Sequence, residues 1–129
     1  MADTAQLVYA PLGGAGEIGM NMYLYGYGPA RDRRWIMVDC GIGFGDMETS
    51  PGVELMVPDI GFIAQMRDRL DGIFITHAHE DHVGAIGRLW DQLKAPVFAT
   101  GSPPRSPGAR WPTRAARPRR SRSASGRRR

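Results

Sequence analysis

Apolar and polar positions along this chain fall into short, dense blocks separated by glycine-rich text, and the blocks predict a strand-led fold. Gln6-Leu7-Val8-Tyr9-Ala10 reads as a first strand, and Asn21-Met22-Tyr23-Leu24-Tyr25-Gly26-Tyr27 as a second, with alternating side chains and aromatic enrichment. Between them Pro11 to Gly19 is a glycine-rich loop, and Gly28 to Asp32 is a turn. Trp35 to Asp39 reads as a third strand, apolar on both faces and therefore expected to be buried on both. Gly41 to Gly52 is a second glycine-rich loop, carrying Asp46 and Glu48. Asp59 is placed to cap a helix reaching to about Leu70, with Ile60, Ile63, Met66 or Arg67, and Leu70 near one face. Asp71 to Thr76 predicts a fourth, buried strand, and a helix starting at His82 ends near Leu93-Lys94. Pro96 to Thr100 begins a fifth strand. There is no internal repeat.

Composition changes the picture at one point. The chain has 129 residues, enough for one small domain. No apolar run approaches the roughly 18–20 residues of a membrane span, and the N-terminus lacks the basic-then-apolar pattern of a signal peptide. No membrane partner is expected. Cys40 is the single cysteine; it excludes an intrachain disulfide and fits a reducing, cytoplasmic setting. The net charge of +4 conceals two opposed parts. Residues 1–100 hold 7 basic and 13 acidic side chains, whereas residues 101–129 hold 10 arginines and no acid.

That division sets the expected domain organisation. Residues 1–100 form the folding unit, and 101–129 are an Arg/Pro/Ser-rich tail with almost nothing to bury, expected to be disordered. Three readings of the tail compete: a basic nucleic-acid-binding arm, a low-complexity linker, and an out-of-frame translation. The last is preferred. Arg, Pro, Ala, Gly and Ser are what GC-rich codons yield in a shifted frame, and the switch falls just after a strand has begun.

Gly14-Ala15-Gly16-Glu17-Ile18-Gly19 comes after a strand and has Asp39 twenty residues beyond, which literally matches a dinucleotide fingerprint. The mechanism requires a helix to open inside the glycine loop, with its N-terminus on the pyrophosphate. Met20 to Tyr27 alternates as a strand instead, so no nucleotide-binding residue is assigned.

The chemistry concentrates in Thr76-His77-Ala78-His79-Glu80-Asp81-His82, which holds all three histidines of the chain and one aspartate within six positions. Imidazole nitrogen and carboxylate oxygen are the common zinc ligands among these residue types. A strand before and a helix after would place them on a turn at the end of a sheet. His77 and His79, two apart on extended backbone, point the same way and suit one ion. Asp81 and His82 are adjacent and expected to diverge, so they suit a second. Two ions about 3.5–4 Å apart can activate a shared water near neutral pH. Asp81 has a plainer alternative role as the cap of the helix after the turn.

The pattern His77, His79, Asp81, His82 resembles the H-x-H-x-D-H signature of the metallo-β-lactamase superfamily, and Asp39-Cys40-Gly41 resembles its D-x-G element. Within the superfamily, Gly13 to Gly19 followed by Asn21-Met22, together with Glu80, is similar to the ribonuclease J family. The resemblance covers about residues 6–100. It implies an α/β (α+β) fold, the N-terminal part of an αββα sandwich. It implies zinc-dependent hydrolysis of RNA phosphodiesters, exonucleolytic from the 5′ end and endonucleolytic, in RNA processing and decay. Carried over by position, His77 and His79 would hold the first of two Zn2+ ions, and Asp81 and His82 the second. Asp81 is also the one residue assigned a catalytic part, and Asp39 would stand behind the ligands and steady the turn. RNA is the implied partner, and the full-length enzyme is expected to be a cytoplasmic homo-oligomer.

The departure from the pattern is large. The family needs further histidines and a bridging aspartate downstream, yet no histidine follows His82. Two protein ligands per ion is fewer than the three or four usual for zinc, so the chain is expected to be an inactive piece, with one sheet face uncovered and its edges unpaired. Two rivals stand beside this reading: another hydrolase of the superfamily, such as a glyoxalase-II-like thioesterase, and non-enzymatic RNA binding by the arginine-rich tail.

Overall fold

The computed structural model describes residues 3–99; Thr100 of the expected fifth strand and the 101–129 tail lie outside the described residues. Five strands form one sheet in the order β1 to β5: β1 Gln6–Gly13, β2 Met22–Gly28, β3 Arg34–Val38, β4 Leu70–Ile75 and β5 Val97–Ala99. β1–β2 and β2–β3 pair antiparallel, and β3–β4 and β4–β5 pair parallel. Parallel neighbours need crossovers. The first contains α1 (Gly61–Gln65); the second contains α2 (Glu80–Val83) and α3 (Ile86–Leu93). The fold is mixed α/β, as expected.

One face of the sheet is buried. Met22, Leu24, Trp35, Met37, Leu70 and Ile73 share a core with Ile63 of α1 and with Ile86, Leu89 and Leu93 of α3. The last three recur at the spacing that puts them on one side of a helix. The opposite face carries Leu7, Tyr9, Tyr25, Tyr27, Ile36 and Phe74, all exposed. Leu7 and Tyr27 are cross-strand partners, as are Tyr9 and Tyr25. The structure thus has one helical layer on one sheet, with an apolar second face that nothing among the described residues covers.

Three expectations need correction. β3 is not buried on both sides: Trp35 and Met37 face the helices, and Ile36 is 36% exposed on the open face. The helix expected from Asp59 to Leu70 ends at Gln65 and gives way to a 3₁₀ turn, Arg67–Arg69. Its N-cap is Ile60 rather than Asp59, and no side chain caps it; Asp59, one residue earlier, accepts from the Gly61 N–H through Oδ1 at 2.8 Å. Leu70, however, is drawn into β4, where it pairs with Trp35. The single helix expected from His82 is two helices, broken at Gly84-Ala85. Gly84 sits there because a Cβ would lie 2.6 Å from the Glu80 carbonyl oxygen.

Candidate metal centre

The histidine turn comes directly after β4, at the end of the parallel part of the sheet, and main-chain hydrogen bonds from two distant segments hold it. From the loop after β3, the Cys40 N–H donates to His82 O at 2.7 Å, and the Ile42 N–H to Glu80 O at 3.1 Å; in return the Ala85 N–H donates to Cys40 O at 2.9 Å. From the loop before β2, the Asn21 N–H donates to Asp81 O at 2.9 Å. The two outer segments are joined to each other by Gly41 N–H to Asn21 O at 3.0 Å. The packing is so close that a Cβ on Gly41 would lie 1.6 Å from Asp81 O. The glycine of Asp39-Cys40-Gly41 is therefore a requirement of backbone approach.

Asp39 follows β3 with φ +62°, a left-handed conformation that aspartate tolerates better than most residues. The twist aims its buried carboxylate under the turn. Oδ1 accepts from the Thr76 N–H at 2.8 Å, and the Thr76 hydroxyl lies 2.9 Å from both oxygens. Oδ2 lies 2.7 Å from His82 Nδ1. A carboxylate facing Nδ1 places the ring hydrogen there, which leaves Nε2 as the acceptor available to an ion. Asp39 thus joins the end of β4 to the His82 ring. Cys40 beside it is fully buried, and burial pushes its thiol up to about 12; it is a small core side chain, not a nucleophile.

His77, His79 and Glu80 are exposed, and Asp81 and His82 half-buried. The rings of His77 and His79 lie 4.8 Å apart between centroids, and those of His77 and His82 3.8 Å. His79 caps α2 with extended backbone, while Asp81 lies within that helix's first turn; the capping alternative for Asp81 does not hold. Nor do Asp81 and His82 diverge: Asp81 Oδ2 is 3.4 Å from His82 Nε2. They are drawn together by a residue not anticipated as part of the site. Asn21 Nδ2 donates to Asp81 O at 3.0 Å and Oδ2 at 3.1 Å, and lies 3.2 Å from His82 Nε2. The Tyr23 hydroxyl donates to Asn21 Oδ1 at 2.8 Å and fixes the amide.

The donors are of the kind zinc takes, and the positive end of an amide already sits where a carboxylate and an imidazole lone pair meet. Among the described residues no three histidine, cysteine, aspartate or glutamate side chains close on a single point. Beside it, a cleft of about 440 Å³ is lined by Ile18, Ile42, Phe44, Glu80 and Asp81. No helix among the described residues is long and apolar enough to cross a membrane.

The chain is similar to known proteins. It is similar to ribonuclease J of Sinorhizobium meliloti: 57% identity over 100 residues, covering 78% of this chain and 18% of that one. Ribonuclease J 2 of Staphylococcus aureus is 40% identical over 90 residues, 70% of this chain and 15% of its own. Ribonuclease J of Helicobacter pylori is 40% identical over 96 residues, 74% and 13%. The chain spans less than a fifth of the length of these curated relatives. A family model, that of the metallo-beta-lactamase superfamily, matches residues 15–126. With a match over most of its length, and the histidine–aspartate turn held on that frame, the chain belongs to the metallo-beta-lactamase superfamily.

Proposed function

We propose that this chain carries the metal-ligand turn of a ribonuclease J-like hydrolase of RNA phosphodiesters, acting from the 5′ end and internally. The observation that carries the reading is the turn itself: four metal-type donors on a bend locked by main-chain bonds, within a stretch 57% identical to a ribonuclease J. His77 and His79 would hold one zinc, and Asp81 and His82 the other. Bound zinc would supply an ionised water near neutral pH and neutralise phosphate charge. The chain's own residues prepare that site. Asp39 keeps the His82 hydrogen on Nδ1 and so presents Nε2. Thr76, bonded to Asp39, fixes where the strand ends and the ligands begin. Asp81, on the wall of the cleft, would carry the catalytic part. The complete enzyme would be a cytoplasmic homo-oligomer acting on RNA.

Two protein ligands per ion leave each zinc under-coordinated, so this chain alone is expected to be inactive. The test is metal content and cleavage together. The 129-residue chain should retain well under two tightly bound zincs and fail to cut 5′-monophosphorylated RNA, whereas the intact gene product should cut it and leave thioesters alone. Thioester turnover without RNA cleavage by the intact product would defeat the assignment in favour of a glyoxalase-II-like enzyme.

A further inference from the structure

We infer that Asn21 is a placeholder for metal: its side-chain amide occupies the His82 lone pair, and it must swing away for an ion to bind there. The placeholder role rests on the metal-holding reading of the turn and adds a residue and a direction to it.

The hydrogen bonds fix the roles of the atoms. His82 has two ring nitrogens, and Nδ1, facing the Asp39 carboxylate, carries the hydrogen. Nε2 then has one lone pair and no other. Asn21 Nδ2 lies 3.2 Å from it. The amide cannot be turned the other way round. Reversal would set Asn21 Oδ1 against Asp81 O and Asp81 Oδ2, both acceptors, whereas the present orientation donates to both. One NH2 group, with two hydrogens, thus serves three acceptors, and two of them are atoms a metal would need: Asp81 Oδ2 and His82 Nε2. Amide and ion exclude each other at Nε2.

Tyr23 sets how firmly the placeholder is held. Its hydroxyl donates to Asn21 Oδ1 at 2.8 Å, and Gly14 leaves room for that bond, since a Cβ there would lie 2.5 Å from both Asn21 Oδ1 and the Tyr23 hydroxyl. The turn does not depend on the amide. The Asn21 main-chain N–H holds Asp81 O at 2.9 Å, and Asp39 holds His82 from the other side, so removing the amide leaves the ligands in place.

The test uses Co2+, a spectroscopic stand-in for zinc, titrated into the 129-residue chain. Asn21→Ala should bind Co2+ about 3- to 10-fold tighter than the unmodified chain, the value of one net hydrogen bond no longer in competition. Tyr23→Phe should move affinity the same way by less. In an H82A background the N21A gain should vanish. A residue that merely supported the site would weaken binding when removed, the opposite sign. Equal or weaker binding by both variants overturns the placeholder and leaves the metal reading standing; no Co2+ uptake by any of these proteins also overturns the placeholder, while the metal reading stands or falls by the intact gene product. A measurement needing no variant is the Asn21 side-chain NH2 resonance of the unmodified chain. It should shift as the His82 ring signals report Zn2+ binding, and an unmoved resonance with His82 occupied overturns the inference.

Discussion

Substituting Gly41 by alanine tests the lacing of the site directly. The added Cβ would fall 1.6 Å from Asp81 O, 2.2 Å from Asp81 C and 2.8 Å from His82 N. All three are main-chain atoms, so no side chain can rotate to make room. Ordinary van der Waals separation requires a retreat of about 1.5 Å or more. Such a movement stretches the bonds that pass through this point: Cys40 N–H to His82 O, Gly41 N–H to Asn21 O, Asn21 N–H to Asp81 O and Ile42 N–H to Glu80 O. Losing two of these and overpacking the junction should cost about 3–5 kcal/mol. That is a large share of the roughly 5–15 kcal/mol available to a domain of this size. Gly52→Ala is the control. Gly52 has φ +80° with nothing within 4 Å of its Cβ position, so only backbone strain is added and the loss should be about 1 kcal/mol. Urea unfolding followed by tryptophan fluorescence, with unchanged m-values, gives both numbers. A Gly41→Ala loss no greater than that of Gly52→Ala would refute the close approach, and with it the account of how the ligand turn is held.

Three further outcomes are expected. Asp39→Asn must set an NH2 against either Thr76 or His82; facing His82 Nδ1, it drives the ring hydrogen to Nε2, and Co2+ affinity should fall about 10- to 100-fold with little change in circular dichroism. The Cys40 thiol is raised to about 12 by burial, so the folded state holds its proton above the ordinary value; stability present below about pH 9 should decline as pH climbs toward 12, and Cys40→Ala should flatten that decline in pH-dependent urea melts. Replacing the cross-strand pair Leu7 and Tyr27 by threonine should cut binding of a hydrophobic dye to the folded chain while stability stays within about 0.5 kcal/mol; undiminished dye binding would place the apolar surface elsewhere.

The sheet was legible because its signals are local. The alternation in Met22–Gly28 and the density of apolar residues in β4 depend on neighbours a few positions away. The glycine loop before Met22 was distinguishable from a nucleotide loop for the same reason: Met22 to Tyr27 alternate as a strand where a nucleotide loop would open a helix. Helix ends were less legible. Ile60, Ile63, Met66 and Leu70 carry a helical period, but pairing with Trp35 claims Leu70 for the sheet, and a sequence window does not contain Trp35's demand. The histidine turn was conspicuous because every histidine of the chain lies in it. Asn21 did not, since it meets Asp81 across sixty positions; the only local hint was its place beside Met22 in the glycine-loop motif. The outward exposure of Ile36 was hidden too, because two apolar faces look alike in sequence whether or not both are covered.

The three-way lacing of the histidine turn has a kinetic consequence. Its bonds join Asn21 to Asp81, Cys40 to His82 and Ile42 to Glu80, partners that lie far apart along the chain. Closing such long loops is slow and goes unrewarded until the intervening strands have paired. The histidine turn should thus assemble at the end of folding, and an ion bound there should leave the early phases untouched while slowing the return to the unfolded state.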